Sequence, residues 1–152
     1  MAARLDPLPI IAGLRGLFCR DASRQALLQY TADRIQAAGP PYTSVYLYML
    51  QGDDLVLEAF RGRETDHTRI PVGKGVCGTA VATGQDQNVG DVRAVENYLA
   101  CNTVTRSELV VLIRRGPKIL GQIDVDSDVP DPFTPDEEAA VRAVADGLMV
   151  VL

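Results

Sequence analysis

Residues 107–127 read Ser-Glu-Leu-Val-Val-Leu-Ile-Arg-Arg-Gly-Pro-Lys-Ile-Leu-Gly-Gln-Ile-Asp-Val-Asp-Ser, and this stretch decides the fold. Ser107–Ile113 and Ile119–Val125 are β-branched and apolar runs, which predict two strands. Arg115-Gly-Pro-Lys118 between them predicts a tight connection, because proline and glycine suit a turn but not a strand interior. Strand period two places Leu120, Gln122, Asp124 and Asp126 on one face, with Ile119, Ile123 and Val125 on the other. Two carboxylates then stand about 7 Å apart, at about 3.3 Å per residue. A solvated edge face would explain the pair. So would a cation site, since each carboxylate favours an ammonium and is destabilised by its neighbour without one.

Outward from this hairpin, Thr43–Leu50 and Asp54–Phe60 predict a second antiparallel pair around Gln51-Gly-Asp-Asp54. Leu27, Leu28, Ala32, Ile35 and Ala38 line one face of a helix ended by Gly39-Pro-Pro41. Between the hairpins, Pro71, Gly73, Gly75 and Gly78 predict a loop leading into a short helix over Val76–Ala82, closed by Gly84. Thr134-Pro-Asp-Glu137 supplies an N-cap, a proline at the first helical position and the Glu of a capping box. Val141, Val144, Ala145, Leu148 and Val151 then form one apolar stripe. The order helix, hairpin, short helix, hairpin, helix predicts one α+β domain over residues 1–152. It consists of an N-terminal helical segment (1–40), then sheet, loops and a C-terminal helix (43–152).

Composition agrees. The chain has 152 residues, 47% hydrophobic and 23% charged, which suits one domain with one core. Fifteen Lys and Arg against twenty Asp and Glu leave a net charge of −5, so the basic footprint of a nucleic-acid binder is absent. The apolar runs are far shorter than the roughly 20 residues of a membrane span, and Met1-Ala-Ala-Arg-Leu-Asp-Pro7 lacks a signal-peptide layout. A cytoplasmic protein with no membrane partner is expected. The three cysteines, Cys19, Cys77 and Cys101, are too few and too scattered for a disulfide framework, so a redox or nucleophilic role is expected of them.

Gly73-Lys-Gly75-Val-Cys-Gly78 matches G-x-G-x-x-G, but a dinucleotide fingerprint needs a buried strand before it and a full helix after it. A tight turn with close backbone approach fits better. Asp124-Val-Asp126-Ser-Asp128 resembles half a calcium loop, yet Val129 and Pro135 stand where glycine and glutamate are required. His67, the only histidine, sits in the polar run Arg61–Arg69, which reads as an exposed loop, and no cysteine pair has metal-ligand spacing; no metal is expected. Cys19 reads as a small packing residue near a helix end. At a helix start, Cys77 is expected to have its thiol pKa lowered by the helix dipole. Cys101, in Tyr98-Leu-Ala-Cys-Asn102, falls in an irregular, accessible stretch suited to a nucleophile.

Arg69-Ile-Pro-Val-Gly-Lys-Gly-Val-Cys-Gly-Thr-Ala80, Gly90-Asp-Val92, Leu99-Ala-Cys101, Ser107-Glu-Leu-Val110, Gly121-Gln-Ile-Asp-Val-Asp-Ser127 and Phe133 together resemble the GAF-domain free methionine-(R)-sulfoxide reductases. The resemblance runs from about Thr43 to the C-terminus. It implies a largely antiparallel six-stranded sheet flanked by helices. It also implies that Cys101 is the nucleophile that takes oxygen from the sulfoxide and becomes a sulfenic acid. Glu108, Asp124 and Asp126 match an acidic pocket that holds the substrate ammonium; Glu108 and Asp126 also assist the chemistry, and Tyr48 lines the pocket. A hydrogen bond or proton given to the sulfoxide oxygen makes its sulfur a better electrophile. No cofactor is implied beyond an external thioredoxin-like thiol donor.

The chain departs from the family pattern at three places. No cysteine follows Phe60-Arg-Gly62, which leaves Cys77 or an external thiol to resolve the sulfenic acid. Ser44 occupies the place of a pocket tryptophan, and Leu112 that of a proline. Two other readings of the residues therefore stand beside the reductase. One is a non-catalytic module for a small ligand, and the other a redox sensor using Cys77 and Cys101. Leu8–Phe18 and Met149–Leu152 are apolar enough for a homodimer to be expected through them.

Overall fold

Both predicted hairpins form and meet edge to edge in one sheet. The structure, a computed structural model, describes residues 3–96, 98–99 and 104–152. Its elements are α1 (Pro7–Cys19), α2 (Arg24–Gln36), β1 (Ser44–Gln51), β2 (Asp54–Arg61), β3 (Arg69–Pro71), α3 (Gly75–Thr83), β4 (Gln87–Val89), β5 (Ser107–Arg115), β6 (Lys118–Ser127) and α4 (Pro135–Val151). The six strands pair antiparallel in the order β3-β2-β1-β6-β5-β4. β6 is therefore a central strand, and the solvated-edge explanation of its carboxylates is wrong.

The predicted N-terminal helical segment is two helices. Asp6 caps α1 by accepting from the Leu8 amide, and Ser23 caps α2 by accepting from the Ala26 amide. Between them Asp21 takes a positive φ of 58°. In α2, Leu27, Leu28, Ala32 and Ile35 are buried as the helical spacing requires. The stripe Val141, Val144, Ala145, Leu148 and Val151 is likewise buried in α4. These helices cover one sheet face, packing on Val45, Leu47, Met49, Leu109, Val111, Ile113, Ile123 and Val125. Alternation sends Tyr46, Tyr48, Val110 and Leu112 to the other face, where α3 and Ile70 cover them.

Two sequence expectations need correction. At the start of β6 the pairing shifts from Ile113↔Gly121 to Arg114↔Ile119, which leaves Leu120 as an extra residue. The alternation flips there. Leu120 packs with the helix-side core, while Ile119 joins the opposite cluster. The capping box at α4 is half made: Thr134 accepts from the Glu137 amide, but the Glu137 carboxylate turns away from the cap. It accepts instead from the amides of Arg4 and Leu5 and from the Tyr42 hydroxyl, at 2.7, 3.1 and 2.7 Å. Three long-range donors outcompete one local one, and the N-terminal segment is pinned to α4.

Among the described residues, no helix is long and apolar enough to cross a membrane.

Candidate active site

The face of the sheet turned away from α1, α2 and α4 carries the polar residues that the sequence reading singled out. Cross-strand pairing arranges them in rows. Ser44, Asp126 and Glu108 form one row; Tyr46, Asp124 and Val110 the next; Tyr48, Gln122 and Leu112 the third. The period-two reading of Gln122, Asp124 and Asp126 therefore holds above the bulge. Glu108 joins them from β5, directly opposite Asp126.

The glycine loop sets the far wall. Gly73 donates its amide to the Gly78 carbonyl at 2.9 Å, folding the start of α3 back on the strand before it. A Cβ at Gly78 would lie 2.6 Å from the Pro71 carbonyl oxygen and 2.9 Å from the Gly73 nitrogen. The glycines thus serve close approach of backbone to backbone, as expected of a tight turn. α3 then runs from Gly75 to its left-handed cap at Gly84 and holds Cys77 over the sheet.

Cys77 Sγ lies 3.6 Å from Glu108 Oε2. A cavity is lined here by Tyr48, His67, Ile70, Lys74, Gly75, Val76, Cys77, Leu99, Glu108 and Asp124, with about 10 Å³ open to the centre of a water-sized molecule. That is room for about one water. Tyr48 donates its hydroxyl to the His67 carbonyl at 2.7 Å, and Tyr46 donates to the Arg63 carbonyl at the same distance, so the loop after β2 is tied over this face. His67 is half-buried and borders the cavity, which corrects its reading as part of an exposed loop. No spacing signal marked it, because the two tyrosines that draw it in lie about twenty residues upstream.

Electrostatically the site is strained. Glu108, Asp124 and Asp126 are each no more than 5% exposed. Among the described residues none of the three forms an ion pair, and Arg63 is engaged instead by Asp128 at 2.6 and 2.5 Å. Burial, then the charge of Asp126, pushes the Asp124 carboxyl up to about 7. Burial, then Asp124, raises Glu108 well above the usual carboxylate range, and burial, then Glu108 and Asp128, does the same to Asp126. Among the described residues, Asp124 Oδ1, Asp126 Oδ2 and both amide atoms of Gln122 are buried without a hydrogen-bond partner. The arrangement can therefore keep carboxyls neutral as hydrogen-bond donors, or accept a cation that lets them ionise.

The thiols depart from expectation. Cys77 sits at the start of α3, but its pKa is raised well above the ordinary thiol value, by burial first and then by Asp124 and Glu108. Removal from water and two adjacent acids outweigh the helix dipole. Cys19 ends α1 as predicted but is exposed, so it is no packing residue. Cys101 lies outside the described residues. Leu99, two residues before it in the chain, lines the cavity. Of the predicted site residues, Cys77, Glu108, Asp124 and Tyr48 border this cavity, and Asp126 flanks it on the same sheet face.

Known proteins share the sequence and the fold of this chain. Residues 23–152 match the GAF domain family. The chain is 36% identical to the free methionine-R-sulfoxide reductase of Escherichia coli over 143 residues, which cover 94% of this chain and 82% of that protein. Among solved structures it is similar to a type II free methionine-R-sulfoxide reductase from Thermoplasma acidophilum, at 35% identity and a TM-score of 0.81, covering 84% of this chain and 91% of that one. It is also similar to the Neisseria meningitidis free methionine-R-sulfoxide reductase in complex with its substrate, at 30% identity and a TM-score of 0.84, covering 93% and 85%.

Proposed function

The chain belongs to the GAF-domain free methionine-(R)-sulfoxide reductases, and from that membership we propose a division of labour among its residues in reducing free L-methionine-(R)-sulfoxide to methionine. The observation that carries the reading is the set of three buried acids on one sheet face, none of them ion-paired among the described residues. A free amino acid brings an ammonium, and a methionine inside a protein does not. Asp124 and Asp126 take the ammonium. Glu108, held neutral, donates a hydrogen bond to the sulfoxide oxygen and makes the sulfur electrophilic. Tyr48 borders the bound side chain.

Cys101 acts as the nucleophile. Its sulfur attacks the sulfoxide sulfur, the sulfur–oxygen bond of the substrate breaks, and the oxygen ends on Cys101 as a sulfenic acid carrying the thiol's proton. Substrate sulfur is reduced by two electrons and Cys101 is oxidised by two. A second thiol then condenses with the sulfenic acid and releases water. Cys77 is that resolving thiol within the chain. Its burial among acids holds it in the thiol form, so resolution is slow until the cavity opens. A thioredoxin-type donor in a thiol-reducing, cytoplasmic setting restores both cysteines. The exposed Leu8, Phe18 and Val150 support a homodimer through α1 and the end of α4.

The space beside Cys77 admits a water-sized group, so binding the amino acid displaces the rim side chains Lys74 and Leu99. Ammonium recognition is tested by comparing methionine-(R)-sulfoxide with its N-acetylated form under excess dithiothreitol. Turnover of the free amino acid alone is expected. Equal turnover of both would overturn the assignment of the acids.

A further inference from the structure

The same groups have the makings of a metal site. Cys77 Sγ and one carboxylate oxygen each of Glu108 and Asp124 lie within 4.8 Å of one another, and all three residues are buried. They come from three elements, α3, β5 and β6, so no sequence spacing shows the set. Zinc bonds of about 2.3 Å to sulfur and about 2.0 Å to oxygen imply a tetrahedral sulfur–oxygen edge of roughly 3.5 Å. The Cys77–Glu108 separation is 3.6 Å.

Unpartnered buried polar atoms on the same sheet face point to a ligand here. Gln122, fully buried one strand step from Asp124 on the same face, has neither its amide nitrogen nor its oxygen hydrogen-bonded among the described residues. Asp126 Oδ2, on the other side of Asp124, is also without a partner among the described residues. Burying such atoms unsatisfied is costly, so the face is built to hold something polar. The cavity beside Cys77 has room for an ion or a water.

We propose that in the reduced protein Cys77, Glu108 and Asp124 bind one zinc-class divalent cation, in competition with the sulfoxide substrate. A thiolate with two carboxylates selects a borderline-soft ion over magnesium or calcium, which take oxygen ligands alone. Gln122 and Asp126 stand behind the ligands as outer hydrogen-bonding partners, through water where the direct reach is too long. The ion occupies the acids that the substrate ammonium needs, so the two exclude each other.

The test is titration of phosphine-reduced protein with cobalt(II) under anaerobic conditions, followed by displacement with zinc. One cobalt per chain is expected, with the thiolate-to-cobalt charge-transfer band of a sulfur ligand. The band should disappear in Cys77→Ser and persist in Cys19→Ser and Cys101→Ser. Glu108→Gln, checked for folding by circular dichroism, should weaken binding at least tenfold. Absence of the band in wild type, or a band that survives Cys77→Ser, overturns the site. Because this readout needs no turnover, its failure is separate from a failure of the reductase reading; zinc raising the apparent KM for sulfoxide is the expected consequence where both hold.

Discussion

Glu108 and Asp126 stand directly opposite each other across the β5–β6 ladder, buried on the same face of the sheet. Like charges so placed repel, and neither has an ion-pair partner among the described residues. The fold tolerates the pair because burial favours the protonated form of each. Hydrogen-bond donation to a sulfoxide oxygen, the role proposed for Glu108, requires such a neutral carboxyl.

The pH dependence of stability follows in sign from Asp124. Its carboxyl is raised from 3.8 to about 7 in the folded chain. A carboxyl raised on folding contributes stability that is complete below the unfolded value and lost as pH rises through the folded one. The protein without substrate should therefore lose stability between about pH 4 and about pH 7 through this group. Urea midpoints for wild type and Asp124→Asn across that window check the claim: the variant should show the shallower loss. A wild type that gains on the variant as pH rises would refute it.

Gly78→Ala should destabilise the chain by about 1–3 kcal/mol, the usual range for forcing extra volume into a packed site. The new methyl would meet the Pro71 carbonyl and the Gly73 amide, both backbone, which cannot rotate away. Gly52→Ala is the control for space: nothing lies within 4 Å of its Cβ, although its positive φ of 62° adds backbone strain. Denaturant unfolding of both measures the difference, and loss of Cys77 placement in Gly78→Ala should also lower turnover.

Glu137→Ala removes the acceptor of three hydrogen bonds that tie residues 4, 5 and 42 to α4. A loss of about 2–4 kcal/mol is expected from the donors left behind. Amide exchange at Leu5 should accelerate with it, while exchange in β5 and β6 changes only as far as global stability does.

Oxidation by one equivalent of sulfoxide without reductant should link Cys77 to Cys101, as mapped by non-reducing mass spectrometry. In Cys77→Ser the sulfenic acid on Cys101 should persist and be trapped by dimedone several-fold more than in wild type. Equal trapping in both would make an external thiol the resolving group.

Much of this was legible in the sequence. The hairpin 107–127, the α4 stripe and the period-two file of Gln122, Asp124 and Asp126 are local patterns, and the structure keeps them. Leu120 escaped because a one-residue bulge leaves no mark in an apolar run. Glu137 escaped because its winning partners are more than ninety residues away in the chain. The behaviour of Cys77 escapes the sequence for the same reason. A helix start is visible from Gly75 onward, but the two acids that oppose the dipole arrive from separate strands. His67 and the Cys77–Glu108–Asp124 cluster are likewise products of tertiary approach alone.

The central assignment rests on Cys101, and methionine release tests it most directly. Free L-methionine-(R)-sulfoxide is incubated with wild type and with Cys101→Ser under excess dithiothreitol, which reduces a sulfenic acid without a resolving cysteine. Release by wild type and none by the folded variant is the expected result. Release by Cys101→Ser at the wild-type rate, or by neither protein, would contradict the assignment; the second outcome would leave the acidic face a recognition site without chemistry.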